Sequence, residues 1–519
     1  MNLCAARQAA FFRRSAGREE SEIRGAACIR LRQCLVERWR RRHRRVLLQA
    51  LTLVMRLLSL SESLGDKMEG KDSLDTHHKA LSINLEASVF GSFAEIGAGQ
   101  EVARWFLQVG GASATVAKTI SAYDKEVSDE IYGSGSRYVS VERLRAMLEK
   151  EWTQLLLQIQ LTRGEKTRFF SFVDTVAARN YAGTNLPHGW IGLRFQDQPG
   201  APPNDVILHV NLLDSTSIQE QEALGIIGVN LLYAAFHERS DPETLLSGIA
   251  HLVAPDRMEI DYVEVRGPVF DNDSSGKWSA WNLHVLLVTN RFSEAVICSR
   301  ERGFVPFIEA LHKKAVVLAP GVFDSPSTPH GQMMATALRN LGQEHEQSGE
   351  DFVGLFCLTI PPSVNGGSDH EISRMLVKMQ ALYDLGYGIL LVQAREIYKM
   401  SAIIQRFTSL PIRFVVGISV LLRVFEDDYR HLGGSTLKAV SLLFSQNVRI
   451  YAYPMAASTV RERIKKLNAT GWEWADVRGT VLADSLKPPR PLRYLYEYLL
   501  ASHFIVPIGL TTTEMSRVA

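Results

Sequence analysis

The sequence predicts an α/β protein with two domains: an N-terminal domain with a mixed sheet and a C-terminal domain with a mostly parallel sheet. The 519 residues are enough for two to four domains. Between residues 168 and 213, short strand-like runs alternate with turn residues, which is typical of antiparallel or mixed sheets. After residue 350, strand-like runs alternate with helical stretches of roughly 10–15 residues, which indicates βαβ units and a parallel sheet.

The first half of the chain supplies the elements of the predicted mixed sheet. Alternating apolar residues predict a strand over 81–93, helical spacing follows over 100–109, and a polar, helix-rich stretch covers 116–161. An apolar helix is predicted over 217–236, and Asp241-Pro242-Glu243 is typical of the start of the next helix. The other strands are predicted at 168–176, 189–195, 205–213, 257–269 and 281–289, with a turn at 272–276 between the last two.

The second half supplies the predicted parallel sheet. A domain boundary is expected near 325–350, because Pro320-Gly321, Pro326 and Pro329 cluster just before and within it. The predicted domains are therefore a basic extension and linker over 1–80, a mixed α/β domain over 81–325 and a parallel α/β domain over 350–510. Strands are predicted at 353–360, 388–392, 412–418 and 448–453, and helices at 369–385, 395–408 and 437–445.

The N-terminal segment has an unusual charge. Residues 1–60 contain 14 Arg, no Lys and 4 Glu, a net charge of +10 against +2 for the whole chain, so the remainder carries about −8. Three interpretations are open: an organelle-targeting peptide, an arm for a membrane surface or nucleic acid, and a start assigned upstream of the real one at Met55 or Met68. We expect residues 1–67 to be disordered and dispensable. The mildly acidic remainder predicts no nucleic-acid partner.

The apolar and cysteine content favours a cytoplasmic protein. The stretch from Val46 to Leu60 is short and contains Arg56, so no transmembrane segment is expected. Cys298 and Cys357 lie in apolar strand-like runs and are predicted to be buried free thiols. A reducing, cytoplasmic location follows, with organelle targeting by the Arg-rich segment as the alternative.

The segment Gly91 to Gln100 resembles the first motif of a nucleotidyltransferase. Gly97-Ala98-Gly99 follows a predicted strand and precedes a helix, which suits a phosphate site because helix N-terminal N–H groups attract anions. Gly97 and Gln100 stand where that motif carries histidines. The dinucleotide fingerprint also fails, because Val102 replaces its third small residue. A structural glycine-rich turn is the alternative interpretation.

A second segment resembles the second nucleotidyltransferase motif. Ser458, Thr459 and Arg461 have the residue types and order that bind the same phosphates. The alternative is a helix capped by Ser458 or Thr459, with Glu462 completing a capping box. The predicted nucleotide-binding residues are Gly91, Gly97, Gly99, Ser458, Thr459 and Arg461, with Mg²⁺ and ATP as cofactors if this hypothesis holds.

Other patterns are weaker. Residues 110–119 resemble a P-loop through Lys118 and Thr119 but lack its glycines, so a capped helix start is favoured. Residues 271–276 match the opening of a calcium-binding EF-hand loop but not its closing Glu, so a hairpin turn is favoured. His188, His209 and His237 surround the first sheet and are interpreted as core or surface histidines. No metal site is predicted.

From Ile83 onward the chain resembles a family of bacterial proteins also found in photosynthetic organisms. Members carry automatic labels such as nicotinate-nucleotide (nicotinamide mononucleotide) adenylyltransferase and TonB-dependent receptor. The second label implies an outer-membrane protein with a signal peptide, and we expect neither. The resemblance implies an α/β protein over nearly the whole chain after residue 80. It is carried by Ser88 to Asp124, Thr167 to Arg179, Gln219 to Tyr233, Leu385 to Pro454 and Leu492 to Ile505.

Two functions are therefore open. The first is a soluble protein that binds a nucleotide or phosphometabolite, in its most specific form an adenylyltransferase acting on a pyridine mononucleotide. The glycine-rich turn between strand and helix favours it. The second is a non-catalytic scaffold or assembly factor that binds a protein partner. The sequence shows no paired catalytic carboxylates and no metal cluster, which favours the second.

Overall fold

The computed structural model describes residues 74–509 except 136, 254, 324–325, 345–350, 361–368, 428, 445–446, 468, 477 and 491. The Arg-rich extension, and the prediction that residues 1–67 are dispensable, lie outside the described residues. The described residues from Asp75 onward belong to one unit of mutually contacting elements. Across the described ranges, no helix combines the length and apolarity that a membrane crossing requires.

The first sheet is mixed, as predicted, and has the strand order β2-β1-β3-β4-β5-β6. β1 pairs in parallel with both β2 and β3, and the later neighbours pair antiparallel. Its strands are β1 (Val89–Ile96), β2 (Val116–Ile120), β3 (Arg168–Ala177), β4 (His188–Gln196), β5 (Pro203–Leu212) and β6 (Met258–Arg266). The helices of this part are α1 (Thr76–Leu85), α2 (Glu101–Gln108), α3 (Lys125–Tyr132), α4 (Val141–Arg163), α5 (Ser217–His237), α6 (Pro242–Ala250), α7 (Pro268–Asp271) and α8 (Ala280–Thr289).

The second sheet is mostly parallel, as predicted. Its strands are β7 (Ala295–Ser299), β8 (Gly303–Val305), β9 (Lys314–Gly321), β10 (Asp351–Thr359), β11 (Gly388–Val392), β12 (Ile412–Gly417), β13 (Val448–Tyr453) and β18 (Ile505–Pro507). Their order is β18-β13-β12-β9-β10-β11-β7-β8. The six strands from β11 to β18 are parallel, and β7 and β8 join antiparallel at one edge. Near-continuous apolar runs form these strands because both sheet faces are covered.

Helices and two small sheets complete the second part. The helices are α9 (Phe307–Ala310), α10 (Thr328–Glu344), α11 (Asp369–Tyr383), α12 (Ile397–Gln405), α13 (Ile418–Glu426), α14 (Thr436–Leu443), α15 (Ala457–Leu467) and α16 (Leu492–Ala501). β14 (Met455–Ala456) pairs with β16 (Thr480–Val481), and β15 (Glu473–Trp474) pairs with β17 (Leu486–Lys487).

Three local predictions in the first half were wrong. Residues 81–85 complete the helix α1, and the strand begins only at Val89. Residues 280–289 form the helix α8, capped by Ser279, so the segment 271–276 is no hairpin turn. Residues 116–120 form the parallel strand β2 rather than the start of a helix.

One hydrophobic core connects the two sheets. It contains Phe93 and Phe172 of the first sheet together with Val317 and Phe356 of the second. Three strands of the second sheet, β7 to β9, come before residue 325, within the range predicted for the first domain. The division into separate domains over 81–325 and 350–510 stays a prediction.

Candidate functional site

A cavity of about 600 Å³ lies at the carboxyl ends of β9, β10 and β11. The chain reaches it through Pro320 to Val322 after β9, Leu358 and Thr359 in β10, and Gln393 to Glu396 after β11. Helix α13, which begins directly after β12, supplies Val420, Arg423 and Val424. The cavity is therefore built from segments that follow four parallel strands.

The strand order explains why a cavity forms here. Counted from β9, the parallel strands follow the order 3-2-1-4-5-6, in which successive strands are added first on one side and then on the other. The connections after β9 and β12 leave the sheet in opposite directions and open a crevice at the carboxyl edge. In open α/β sheets, ligands bind in that crevice.

The Arg423 side chain gives the cavity its chemistry. Its Nε atom is buried and has no hydrogen-bond partner among the described residues. Burial and then the positive charge of Arg395 lower the pKa of the Arg423 guanidinium, while Asp427 and Glu396 oppose this effect. Two guanidinium groups that repel each other in one cavity favour an anion between them, and Arg can bind a phosphate or carboxylate through two parallel hydrogen bonds.

Three other charged groups of the cavity, Lys399, Glu396 and Lys378, already have partners. Nζ of Lys399 donates to Oε1 of Glu396 at 3.2 Å. Burial alone would raise the pKa of Glu396. Hydrogen bonds from its own backbone N–H and from Lys399 nevertheless hold this pKa below its ordinary value. Nζ of Lys378 donates to the carbonyl of Val322 at 3.4 Å. Among the described residues, Arg423 is thus the cation of this cavity that has a buried hydrogen-bond donor without an acceptor.

The predicted glycine-rich turn is present, but its helix N-terminus is occupied. Gly97 and Gly99 have φ values of 99° and 86°, between β1 and α2. The buried carboxylate of Glu95 accepts hydrogen bonds from the N–H groups of Val102 at 2.8 Å and Ala103 at 3.0 Å. These are donors that a phosphate would use. Glu95 therefore competes directly with the predicted ligand.

The other residues that were predicted to bind phosphate lie outside the cavity. Gly91 is buried inside β1, where a Cβ would lie 2.2 Å from the carbonyl oxygen of Phe170. Ser458 and Thr459 lie in the first turn of α15, which begins at Ala457, so neither is the capping residue of the alternative interpretation. Arg461 is exposed, with its Nη2 atom 3.6 Å from Asp476. None of these residues lines the cavity, and α15 packs on α13.

The weaker sequence patterns also have structural explanations. Lys118 lies in β2, and its Nζ is 2.7 Å from the buried Glu151 carboxylate. A short 3₁₀ turn over 112–114 precedes this strand, so the expected capped helix start is wrong. In the described chain, exposed Asp75, His77 and His78 are the one set of three possible metal ligands whose atoms approach within 4.8 Å. Asp75 is the cap of α1.

Comparisons with known proteins show similarity over about a third of the chain. No family model and no curated protein matches the sequence. The chain is similar to the solved structure of the competence/damage-inducible protein CihA from Agrobacterium tumefaciens (18% identity, TM-score 0.24), covering 31% of this chain and 98% of that one. CinA superfamily proteins from Klebsiella pneumoniae (11% identity, TM-score 0.25, 31% and 96% covered) and Escherichia coli (13%, 0.23, 32% and 92%) are similar too.

Sequence reasoning did not find this cavity. Arg423 lies on a helix with ordinary amphipathic spacing, and Arg395 follows a strand without a glycine-rich turn. The available signal was the alternation of strands and helices after residue 350, which predicts a parallel sheet whose carboxyl edge is the place to search.

Proposed function

We propose that the cavity at the carboxyl edge of the second sheet binds a phosphate-bearing small molecule, a nucleotide or another phosphometabolite. The observation that carries the proposal is Arg423: a guanidinium with a buried donor unpaired among the described residues, next to a second guanidinium. A buried donor without a partner costs about 1–3 kcal/mol, which an anionic ligand would recover.

The cavity also suits the organic part of such a ligand. Leu358, Met400, Val420 and Val424 provide apolar surface beside the cationic groups. Ligand sites commonly combine a mainly apolar wall with a few polar groups that fix orientation. A volume of about 600 Å³ lies within the range of small-molecule sites.

The most specific form of the proposal is a nucleotidyltransferase that acts on a pyridine mononucleotide with ATP and Mg²⁺. Glu396 and Asp427 line the cavity and would be the carboxylates that hold Mg²⁺ together with phosphate oxygens, because this ion prefers oxygen ligands and few carboxylates. The ion would neutralise phosphate charge. The cavity residues would bind and orient the substrates, and no group in the cavity is assigned to a proton transfer.

Calorimetry of the full-length protein with ATP, ADP, AMP and nicotinamide mononucleotide tests the proposal. Arg423→Lys should weaken the binding of whichever ligand binds by about tenfold, near 1.4 kcal/mol, because Lys cannot form the two parallel hydrogen bonds. Arg461→Lys is the matched control, since Arg461 is exposed and lies outside the cavity.

The two arginines also distinguish the candidate sites. If Arg461→Lys weakens binding and Arg423→Lys does not, the ligand binds at α15 and the cavity proposal is wrong. If none of the four ligands binds the unmutated protein, the nucleotide function is excluded, and the scaffold that binds a protein partner becomes the better hypothesis.

A further inference from the structure

Another cavity, of about 440 Å³, lies where one edge of the first sheet meets one edge of the second. β6 ends the strand order of the first sheet, β8 ends that of the second, and the two strands are in contact. The start of α8 and the end of α11 supply further walls through Trp281, His284, Gln380 and Tyr383. No described residue lines both this cavity and the one that contains Arg423, so the two sites are separate.

Five Trp, Tyr and Phe rings of the described chain line this cavity: Tyr262, Trp278, Trp281, Phe304 and Tyr383. Trp281 packs edge-on against Phe304 and Tyr383, with ring centroids 5.5 Å and 5.6 Å apart. Rings arranged in this way offer faces and edges to a further ring, because aromatic pairs prefer offset or edge-to-face contacts. A flat aromatic ligand therefore fits these walls.

His284 supplies one polar atom that lacks a partner. Its Nδ1 lies 2.7 Å from the carbonyl oxygen of Ala280, one turn earlier in α8, so Nδ1 carries a hydrogen and donates it. Among the described residues that line the cavity, Nε2 of His284 is the one buried side-chain nitrogen or oxygen without a hydrogen-bond partner. The hydroxyl groups of Tyr262 and Tyr383, by contrast, both donate to oxygen atoms of the protein.

Burial keeps the His284 imidazole neutral. The residue has 1% of its surface exposed, its ring is stacked on Phe304 with centroids 3.9 Å apart, and no described carboxylate is hydrogen-bonded to it. Burial lowers its pKa to about 4, although the carbonyl of Ala280 and the charge of Asp261 oppose this effect. Nε2 of the neutral ring accepts a hydrogen bond and cannot donate one. A ligand must therefore bring the hydrogen.

The charged side chains that line the cavity already have opposite charges beside them. Nη2 of Arg145 donates to both carboxylate oxygens of Glu264, and Nε of Arg266 lies 2.6 Å from Oε1 of the same group. Nη1 of Arg302 donates to Oε2 of Glu309 at 3.1 Å. These ion pairs favour a ligand without a charge of its own.

We propose that this cavity binds a neutral, flat aromatic molecule whose ring N–H donates a hydrogen bond to Nε2 of His284. The lone pair of Nε2 lies in the imidazole plane, and Phe304 covers one face of that ring, so the ligand meets His284 edge-on. The aromatic walls contact the rest of the ligand. A volume of about 440 Å³ lies within the range of small-molecule sites. The bound N–H supplies the hydrogen bond that this buried acceptor lacks.

Calorimetry of the full-length protein with indole and benzofuran tests the site. The two molecules have the same bicyclic shape, but benzofuran has a ring oxygen where indole has its N–H and so offers Nε2 no hydrogen. Indole should bind at least about tenfold more tightly, because benzofuran leaves the buried acceptor unpaired. Equal affinities for the two molecules, or no binding of indole, would overturn the proposal.

A substitution of the acceptor tests whether His284 is responsible for this preference. His284→Phe keeps a ring stacked on Phe304 and removes Nε2, so the preference for indole should disappear while the affinity for benzofuran stays unchanged. His312→Phe is the matched control, because His312 is exposed and lies outside the cavity, and it should keep the preference. A preference for indole that survives in a folded His284→Phe would overturn the assignment of the acceptor.

A substitution at the surface tests the location of the site. Ala280 lines the cavity and is exposed at the start of α8, so Ala280→Trp places a large ring in the cavity without a buried substitution. It should abolish the binding of both indole and benzofuran. Unchanged affinities in this variant would show that both molecules bind elsewhere and would overturn the proposal.

The ligand pair and Ala280→Trp test the site even if His284→Phe does not fold. None of these outcomes depends on nucleotide binding at Arg423, because the two cavities share no lining residue in the described chain.

Discussion

Glu95 and Asp174 are register partners on the adjacent parallel strands β1 and β3, and both carboxyl groups are buried. Glu95 accepts from the first turn of α2, and Asp174 accepts from the N–H of Ile96 at 3.2 Å. Burial and then the charge of Glu95 raise the pKa of Asp174. The pair therefore keeps its protons to a higher pH than isolated carboxyl groups do, because two ionised carboxylates at this position would repel each other.

This pair predicts a pH dependence of stability. Burial raises the pKa of Glu95 from 4.5 to about 7, so the folded state binds more protons than the unfolded state between these values. The contribution of Glu95 to stability should be complete below pH 4.5 and be lost as the pH rises through 7, and Glu95→Gln should flatten the slope of stability against pH by up to about 1.4 kcal/mol per pH unit. Urea unfolding from pH 5 to 8 measures it. The exposed Glu462→Gln should leave the slope unchanged, and an unaltered slope in Glu95→Gln would contradict the prediction.

In the turn after β1, replacing Gly97 and replacing Gly99 should reduce the free energy of unfolding by different amounts. A Cβ on Gly97 would lie 1.9 Å from the backbone oxygen of Val176, and its φ is 99°. Gly97→Ala should therefore cost about 2–4 kcal/mol through strain and displaced backbone. Gly99 has a φ of 86° but open space, with Glu101 Oε1 the nearest atom at 3.9 Å. Gly99→Ala should cost only about 1 kcal/mol. Equal denaturation midpoints for the two variants would show that the Val176 contact is unimportant.

Because Arg413 is buried, we expect the stability of the protein to depend strongly on its carboxylate partner, Glu344. Arg413 lies in β12 with 1% of its surface exposed, and its Nη2 donates to Oε2 of Glu344 at 2.7 Å. Glu344→Ala removes the carboxylate partner of this buried cation together with the acceptor of the Tyr451 hydroxyl, and should destabilise by about 2–3 kcal/mol. Arg449 contacts the same carboxylate at 3.3 Å but is 40% exposed, so Arg449→Met should cost under about 1 kcal/mol. Thermal unfolding of both variants decides whether burial sets the difference.

We expect the protein to keep its stability when residues 1–67 are removed. A chain that begins at Met68 retains the capping hydrogen bond that the backbone N–H of His78 donates to Oδ1 of Asp75 at 2.8 Å. Its melting temperature should equal that of the full-length protein. A chain that begins at Glu86 loses α1, with buried Ala80 and Ile83, and should melt clearly lower. A loss of stability in the first chain would show that residues 1–67 contribute to folding.

Local patterns predicted many elements because each carries its own periodicity. The strands at 388–392 and 448–453 have the predicted bounds, and the helix expected over 217–236 covers 217–237. The strand predicted over 281–289 failed for a physical reason. Its central residues, Leu283 to Val288, are all buried, so the run has no polar face to show whether its period is that of a helix or a strand.

Long-range pairing could not be predicted in the same way. The order of the second sheet depends on which strands meet across dozens of residues, and Arg423 becomes important only through that order. His209 and Asp261 are 52 residues apart and meet through a bulge that has no sequence signature. His209 is a core histidine, and the hydrogen bond that joins it to the partly exposed His188 could not be predicted; Nε2 of His237 lies 3.3 Å from Oε2 of Glu86.

The antiparallel pairing of β7 with β11 has a consequence for synthesis on the ribosome. β7 ends at Ser299, and its partner strand is complete only at Val392. At typical elongation rates this interval lasts roughly 5–20 s. During that time the nascent hairpin of β7 and β8 presents an apolar edge without its final neighbour, and such edges recruit other chains. We expect the yield of folded protein to depend on translation speed and chaperone supply between these two strands.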